Sequence, residues 1–189
     1  MTKQELRQYY LDRRRVCSEN QIAEASAKIN QLLINHLNDT TKHVHVFIPL
    51  PNSKEINIWS FIEYCWQQDI QTATSLTFFK PKRLEHSWFD STTTFKPGVY
   101  GTVVPSPIKP VDLSVLDIVV VPLLCVDDSG NRIGYGQGFY DGFLAQLPTE
   151  TKKIGVSLFE PIHETIKKDP WDIPLDAVIS PVGLTDFTD

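Results

Sequence analysis

Apolar residues along this chain keep two rhythms, and each predicts a type of element. Helical spacing runs through Leu6, Tyr9 and Tyr10, and again through Ile22, Ala25, Ile29, Leu32, Leu33 and Leu37, so two helices open the chain. Each starts with capping-box spacing, Thr2 with Glu5 and Ser18 with Gln21. Trp59 to Trp66 turns Phe61, Ile62 and Cys65 to one side as a third helix, and Phe139 to Leu147 reads as a fourth. Between them the pattern is β-like. His43 to Leu50 alternates and stops at Pro49-Leu50-Pro51, while Leu116 to Val126, centred on three valines, reads as a buried strand. Thr72 to Phe79, Trp88 to Thr94, Lys153 to Leu158 and the end of Pro170 to Ser180 are further strands; Lys96 to Pro110, rich in Pro and Gly, reads as a long surface loop. Strands separated by helices predict an α/β architecture with a largely parallel sheet covered on both faces, as one domain over residues 1–189.

Composition narrows the function. The chain has 189 residues, 41% hydrophobic, and a net charge of -5, with Lys and Arg dispersed outside Arg13-Arg14-Arg15. That supplies no basic field for nucleic acid. Ile118 to Val126 is too short to span a bilayer and Met1 to Arg15 too charged for a signal peptide, so a cytoplasmic protein, monomeric or weakly self-associating, is expected. Cys17, Cys65 and Cys125 are odd in number and widely spaced, and read as reduced fillers, with Cys125 a small buried residue at a strand end.

Candidate chemistry concentrates in Asp127 to Asp141. Gly134, Gly136 and Gly138 alternate between the Val-rich strand and the fourth helix, which suits a loop whose amides, with the helix N-terminus, face a phosphate; a plain tight turn is the alternative. Arg132 adds a forked cation. Asp141, on the first helical turn, offers the hard oxygen that Mg²⁺ prefers on nucleotide phosphates, or is simply a helix-start Asp. The loop is neither the dinucleotide fingerprint nor a Walker loop. Lys3 and Arg7 share a face four residues apart, Glu55 stands in a loop after a strand, and His163 reads as a solvated helix residue; each has a plain surface reading.

The string Asp-x-x-Gly-Asn-Arg-Ile-Gly-Tyr-Gly-x-Gly-Phe-Tyr-Asp, from Asp127 to Asp141, resembles the signature of the 5-formyltetrahydrofolate cyclo-ligase (methenyltetrahydrofolate synthetase) family, with Phe139 where the family mostly has Tyr. Lys3, Leu6 and Arg7 reproduce the family's opening pattern, in which the two cations contact ATP; Arg14 is a further cation nearby. The resemblance implies ATP binding by Lys3, Arg7, Arg132, Gly134, Tyr135, Gly136, Gln137, Gly138, Phe139 and Tyr140. It implies folate binding by Leu50, Glu55, Tyr135, Gly136, Gln137, Gly138 and Phe139, with Ile58 where the family has Thr. Arg132 and Tyr140 are its implied catalytic groups, and Asp141 with Asp176 its implied Mg²⁺ ligands, Asp172 being the competitor of Asp176. Near Val104-Pro105 the family's carboxylate is missing.

The implied fold is a three-layer, NagB/RpiA-like α/β sheet. The implied reaction is ATP- and Mg²⁺-dependent closure of 5-formyltetrahydrofolate to 5,10-methenyltetrahydrofolate, releasing ADP and phosphate. Two other readings stand beside it: a sugar-phosphate isomerase or CoA-transferase-like enzyme on a similar sheet, and a non-catalytic folate- or nucleotide-binding paralogue.

Overall fold

Both capping boxes form. Thr2 Oγ1 accepts from Glu5 N at 3.2 Å while Glu5 Oε2 accepts from Thr2 N at 2.7 Å, and Ser18 and Gln21 exchange the same pair of bonds. These start α1 (Lys3–Val16) and α2 (Glu19–His36); β1 (His43–His45), α3 (Trp59–Gln67), β2 (Gln71–Phe79), β3 (Lys82–Phe89), β4 (Thr94–Pro97), β5 (Val103–Ser106), β6 (Ile118–Pro122), β7 (Cys125–Val126), β8 (Arg132–Ile133), α4 (Phe139–Leu144), β9 (Lys152–Val156), β10 (Ala177–Ser180) and β11 (Gly183–Asp186) follow. The computed structural model describes residues 1–50 and 53–188, without the Tyr100 side chain. The expected stop at Pro51 therefore lies outside the described residues.

The main sheet has seven strands in the order β11-β10-β9-β6-β1-β2-β3. Neighbours from β10 to β2 run parallel, and the two edge strands, β11 and β3, run antiparallel to theirs. β6 lies inside, which explains its unbroken valines: Ile118 and Val120 join the core under α2 and α3, while Val119 and Val121 join the core under α4. A strand buried on both faces needs apolar residues at every position, each worth about 1.5–3 kcal/mol when fully buried. The predicted three-layer, largely parallel architecture is the one found. Because β2 lies on one side of β1 and β6 on the other, strand order reverses between β1 and β6, and open α/β sheets bind ligands outside the carboxyl ends at such a point.

Several boundaries differ from expectation. β1 has three residues; past Val46, whose N–H donates to Ala73 O at 2.8 Å, the chain leaves the ladder and becomes cavity wall. Lys80 to Arg83 is no interruption but the turn Lys80-Pro81 and the start of β3 in a β2–β3 hairpin, and the expected strand at Trp88 to Thr94 is the end of β3, a turn and the first residue of β4. The charges of Lys82, Arg83 and Glu85 had masked it, since an edge strand tolerates exposed charge. The expected loop at Lys96 to Pro110 contains the β4–β5 hairpin, whose Pro97 and Pro105 are compatible with a small edge ribbon. α4 stops at Leu144, and His163 is in a loop rather than a helix. No helix among the described residues is long and apolar enough to cross a membrane.

Candidate functional site

At the carboxyl ends of β1 and β6 opens a cavity of about 790 Å³. Its walls are Phe47, Ile48 and Leu50 after β1, Pro122 ending β6, the whole glycine loop, the first residues of α1 and α4, and the turn Asp169 to Asp172. Every proposed site residue lines it except Asp176: Lys3, Arg7, Leu50, Glu55, Arg132, Gly134, Tyr135, Gly136, Gln137, Gly138, Phe139, Tyr140 and Asp141 converge there.

The glycine loop takes its form from two glycines. Gly138 caps α4 in the left-handed region at φ 65°, and Gly136 sits at φ 85°. A Cβ on Gly136 would come within 2.9 Å of the Arg7 guanidinium and would push that side chain off the loop. Gly134 has open space around it and no positive φ, so the loop's own backbone does not demand a glycine there. The loop's base is a β7–β8 hairpin tied by buried Asp127: Oδ1 accepts from Ser129 N and Asn131 N, both at 2.9 Å, and Oδ2 from Ile166 N at 2.8 Å. α1 packs Leu6 and Tyr10 against Leu124, Cys125 and Ile133, and thereby holds Lys3 and Arg7 over the cavity. Burial pushes the Cys125 thiol up to about 12, which suits a filler and not a nucleophile.

Two groups of polar contacts divide the cavity. On the α1 side, Lys3 Nζ pairs with Asp169 at 2.6 Å and with Asp172, Arg7 Nε donates to Gly134 O at 2.9 Å, and Arg132 pairs with Asp141 at 2.7 Å while donating to Ile173 O. Burial pulls the Lys3 ammonium down, but its two carboxylates outweigh that and raise it; burial raises Asp172, and the bonds from Lys3 and Asp169 N outweigh that and lower it. On the other side, Glu55 Oε2 accepts from Leu50 N at 2.8 Å and Oε1 from the Tyr135 hydroxyl, which also accepts from Arg14 at 2.8 Å. Burial, and then the Glu55 charge, keep the Tyr135 and Tyr140 phenols protonated well above their ordinary range.

Asp176 stands apart from the other proposed site residues. It precedes β10 at the amino end of the parallel strands, its carboxylate accepts from Lys153 N at 2.7 Å and pairs with Lys153 Nζ at 2.8 Å, and it does not line the cavity. Asp172 does. Asp141 Oδ2 and Asp172 Oδ1 accept no hydrogen bond among the described residues, although no three His, Cys, Asp or Glu there are grouped to hold a metal alone. Two carboxylates with open oxygens suit a hard cation that takes its remaining ligands from phosphate and water.

Sequence reasoning missed the β2–β3 wall, Thr74, Ser75, Thr77, Phe79 and Leu84, and the turn residues Asp169 and Trp171. Ser75 Oγ lies 3.0 Å from His45 Nε2 and 3.3 Å from His86 Nδ1; burial lowers His86 to about 4 and His45 well below its usual value, so both imidazoles are neutral. The alternation of β2 was a signal for that wall; for the turn, Lys3's need of counter-charges was the only one. His163, exposed, contacts Asp128 at 2.7 Å away from the cavity.

The chain matches the 5-formyltetrahydrofolate cyclo-ligase family over residues 1–181. It is similar to the 5-formyltetrahydrofolate cyclo-ligase of Mycoplasma pneumoniae, 24% identical over 186 residues that cover 95% of this chain and 99% of that one. The enzyme of the same name from Mycoplasma genitalium is 27% identical over 179 residues, covering 94% and 96%. Among solved structures, the 5,10-methenyltetrahydrofolate synthetase of Aquifex aeolicus has the same fold, with a TM-score of 0.81 at 23% identity over 100% of this chain and 94% of that one. The match spans both the cations of α1 and the glycine loop, and this chain belongs to the 5-formyltetrahydrofolate cyclo-ligase family.

Proposed function

We propose that this protein closes 5-formyltetrahydrofolate to 5,10-methenyltetrahydrofolate with ATP, releasing ADP and phosphate. The observation that carries the reading is that the family's loop, its α1 cations and Glu55 line one cavity of about 790 Å³, within the range of small-molecule sites. A formamide oxygen is a poor leaving group. Transfer of the γ-phosphoryl onto it releases ADP and makes an imidate-like phosphate; the N-10 amine attacks the formyl carbon and gives up its proton to solvent, the C–O bond breaks, and phosphate leaves.

The chain's residues position and neutralise, and no protein nucleophile is required. Arg132, Lys3 and Arg7 offset charge on the phosphates, which compete with the carboxylates and carbonyls these side chains bind in this structure. Tyr140, kept protonated, is a donor for the oxygen that gains charge. Glu55, fixed by Leu50 N and Tyr135, accepts from the polar edge of the reduced pterin. Asp141 and Asp172 would hold Mg²⁺, which when bound supplies charge neutralisation on the transferring phosphoryl.

Mixing the protein with Mg-ATP and 5-formyltetrahydrofolate tests this by the absorbance of the methenyl product. Product formation that requires ATP is expected. Tight folate binding without conversion would instead identify a binding paralogue.

A further inference from the structure

Most aromatic side chains of the cavity already serve the fold. Phe47 belongs to the core, Phe139 meets Phe79 edge-on with centroids 5.5 Å apart, Tyr135 is hydrogen-bonded to Glu55 and Arg14, and Tyr140 packs toward Phe143. Trp171 does none of this. It lines the cavity, is 67% exposed, and has no ring, cation or hydrogen-bond partner among the described residues. An unpartnered aromatic face on the wall of a ligand-sized cavity is free to stack on a flat ligand.

Its position is set by the chain around it. Asp172 N donates to Asp169 O at 3.0 Å and Asp169 N donates to Asp172 Oδ2 at 2.8 Å, which closes a turn with Pro170 and Trp171 at its tip. Both carboxylates of that turn grip Lys3, and the next residue, Ile173, receives Arg132. The indole is thus presented beside the phosphate-binding cations, whereas Leu50 and Glu55 belong to the separate loop after β1.

We propose that Trp171 is a nucleotide-binding residue whose indole face stacks on the purine base of ATP while Lys3, Arg7 and Arg132 take the phosphates; this rests on the ATP-dependent reading of the site. A base is flat and polarisable, so stacking supplies affinity without a hydrogen-bond code. It also lets the site distinguish a nucleotide from a bare polyphosphate.

The test uses the full chain and its Trp171→Ala and Trp171→Phe variants. Calorimetry is expected to show a Kd for Mg-ATP raised about tenfold in Trp171→Ala and within about twofold of wild type in Trp171→Phe, with the Kd for inorganic tripolyphosphate unchanged in both. The emission of Trp171, obtained by subtracting that of Trp171→Phe, is expected to be shielded from acrylamide by Mg-ATP and not by 5-formyltetrahydrofolate. Equal weakening toward ATP and tripolyphosphate, unchanged ATP affinity in Trp171→Ala, or shielding by the folate alone overturns the proposal. A wild type that binds folate but no ATP overturns the functional reading beneath it, and is distinguishable because no variant is needed to see it.

Discussion

On the α1 side of the cavity the charges are held in pairs drawn from different elements, Lys3 with Asp169 and Asp172, and Arg132 with Asp141, whereas the loop after β1 contributes one carboxylate, Glu55, whose two oxygens are fixed by Leu50 N and Tyr135. The pairs differ in cost. Lys3 and its partners are 25–41% exposed, in the regime where an ion pair is worth about 0–1 kcal/mol, so phosphates can displace them cheaply. Arg132 is 7% exposed and its partner Asp141 22%, so this pair is more shielded from water and costs more to break than the Lys3 pairs. On the α1 side, then, the Lys3 contacts are the easily exchanged ones and the Arg132–Asp141 pair is held more firmly, while across the cavity Glu55 is fixed at both oxygens.

The most severe break of that contrast falls on the carboxylates of the α1 side. Asp141→Asn should lower turnover by about 100-fold or more, and Asp172→Asn should raise the Mg²⁺ concentration needed for half-maximal rate, while Asp176→Asn leaves Mg²⁺ dependence alone and only loosens the Lys153 contact. Rate against Mg²⁺ concentration decides; a Mg²⁺ shift in the Asp176 variant but not in the Asp172 variant would restore the original ligand pair.

Glu55→Gln probes the opposite side. It keeps size and removes charge, and a charge-assisted bond worth about 1.5–3 kcal/mol corresponds to folate binding weakened about 10-fold or more, with ATP affinity unchanged. Calorimetry with each ligand separately would reject the division of the cavity if both affinities fell together.

The smallest effect is the pH dependence of the Lys3 tether. Asp172 is depressed in the fold, so its contribution is present above the ordinary carboxylate value of about 3.9 and lost as pH falls through the folded value; Lys3 is raised, so its contribution is present below about 10.4 and lost as pH rises through the folded value. Between those limits Lys3→Ala should lower Tm by about 1–3 °C, after discounting for exposure. Melting curves that show the same gap at pH 3 as at pH 7 would mean that packing of the Lys3 stem, not its charge, holds the turn.

The amino-acid sequence by itself determined the elements whose reasons are local: two capping boxes, the helical stripe of α2, the all-apolar β6, and the string Arg132 to Asp141 that carries the family resemblance. Lys3, Arg7, Leu50 and Glu55 were legible only because the resemblance named them, since an exposed-looking charge has no local signature.

Tertiary structure decided the rest. Asp172 and Asp176 stand four residues apart before the same strand, and nothing local ranks them. Four extended residues span up to about 13 Å, enough to separate a carboxylate at the amino end of β10, beside Lys153, from one at the cavity. The β2–β3 wall was hidden because an edge hairpin can carry charges that blur its alternation, and Trp171 because a tip residue's exposure depends on what the rest of the chain leaves uncovered. Local pattern fixes which way a side chain leaves its own element; only packing settles which other elements it meets.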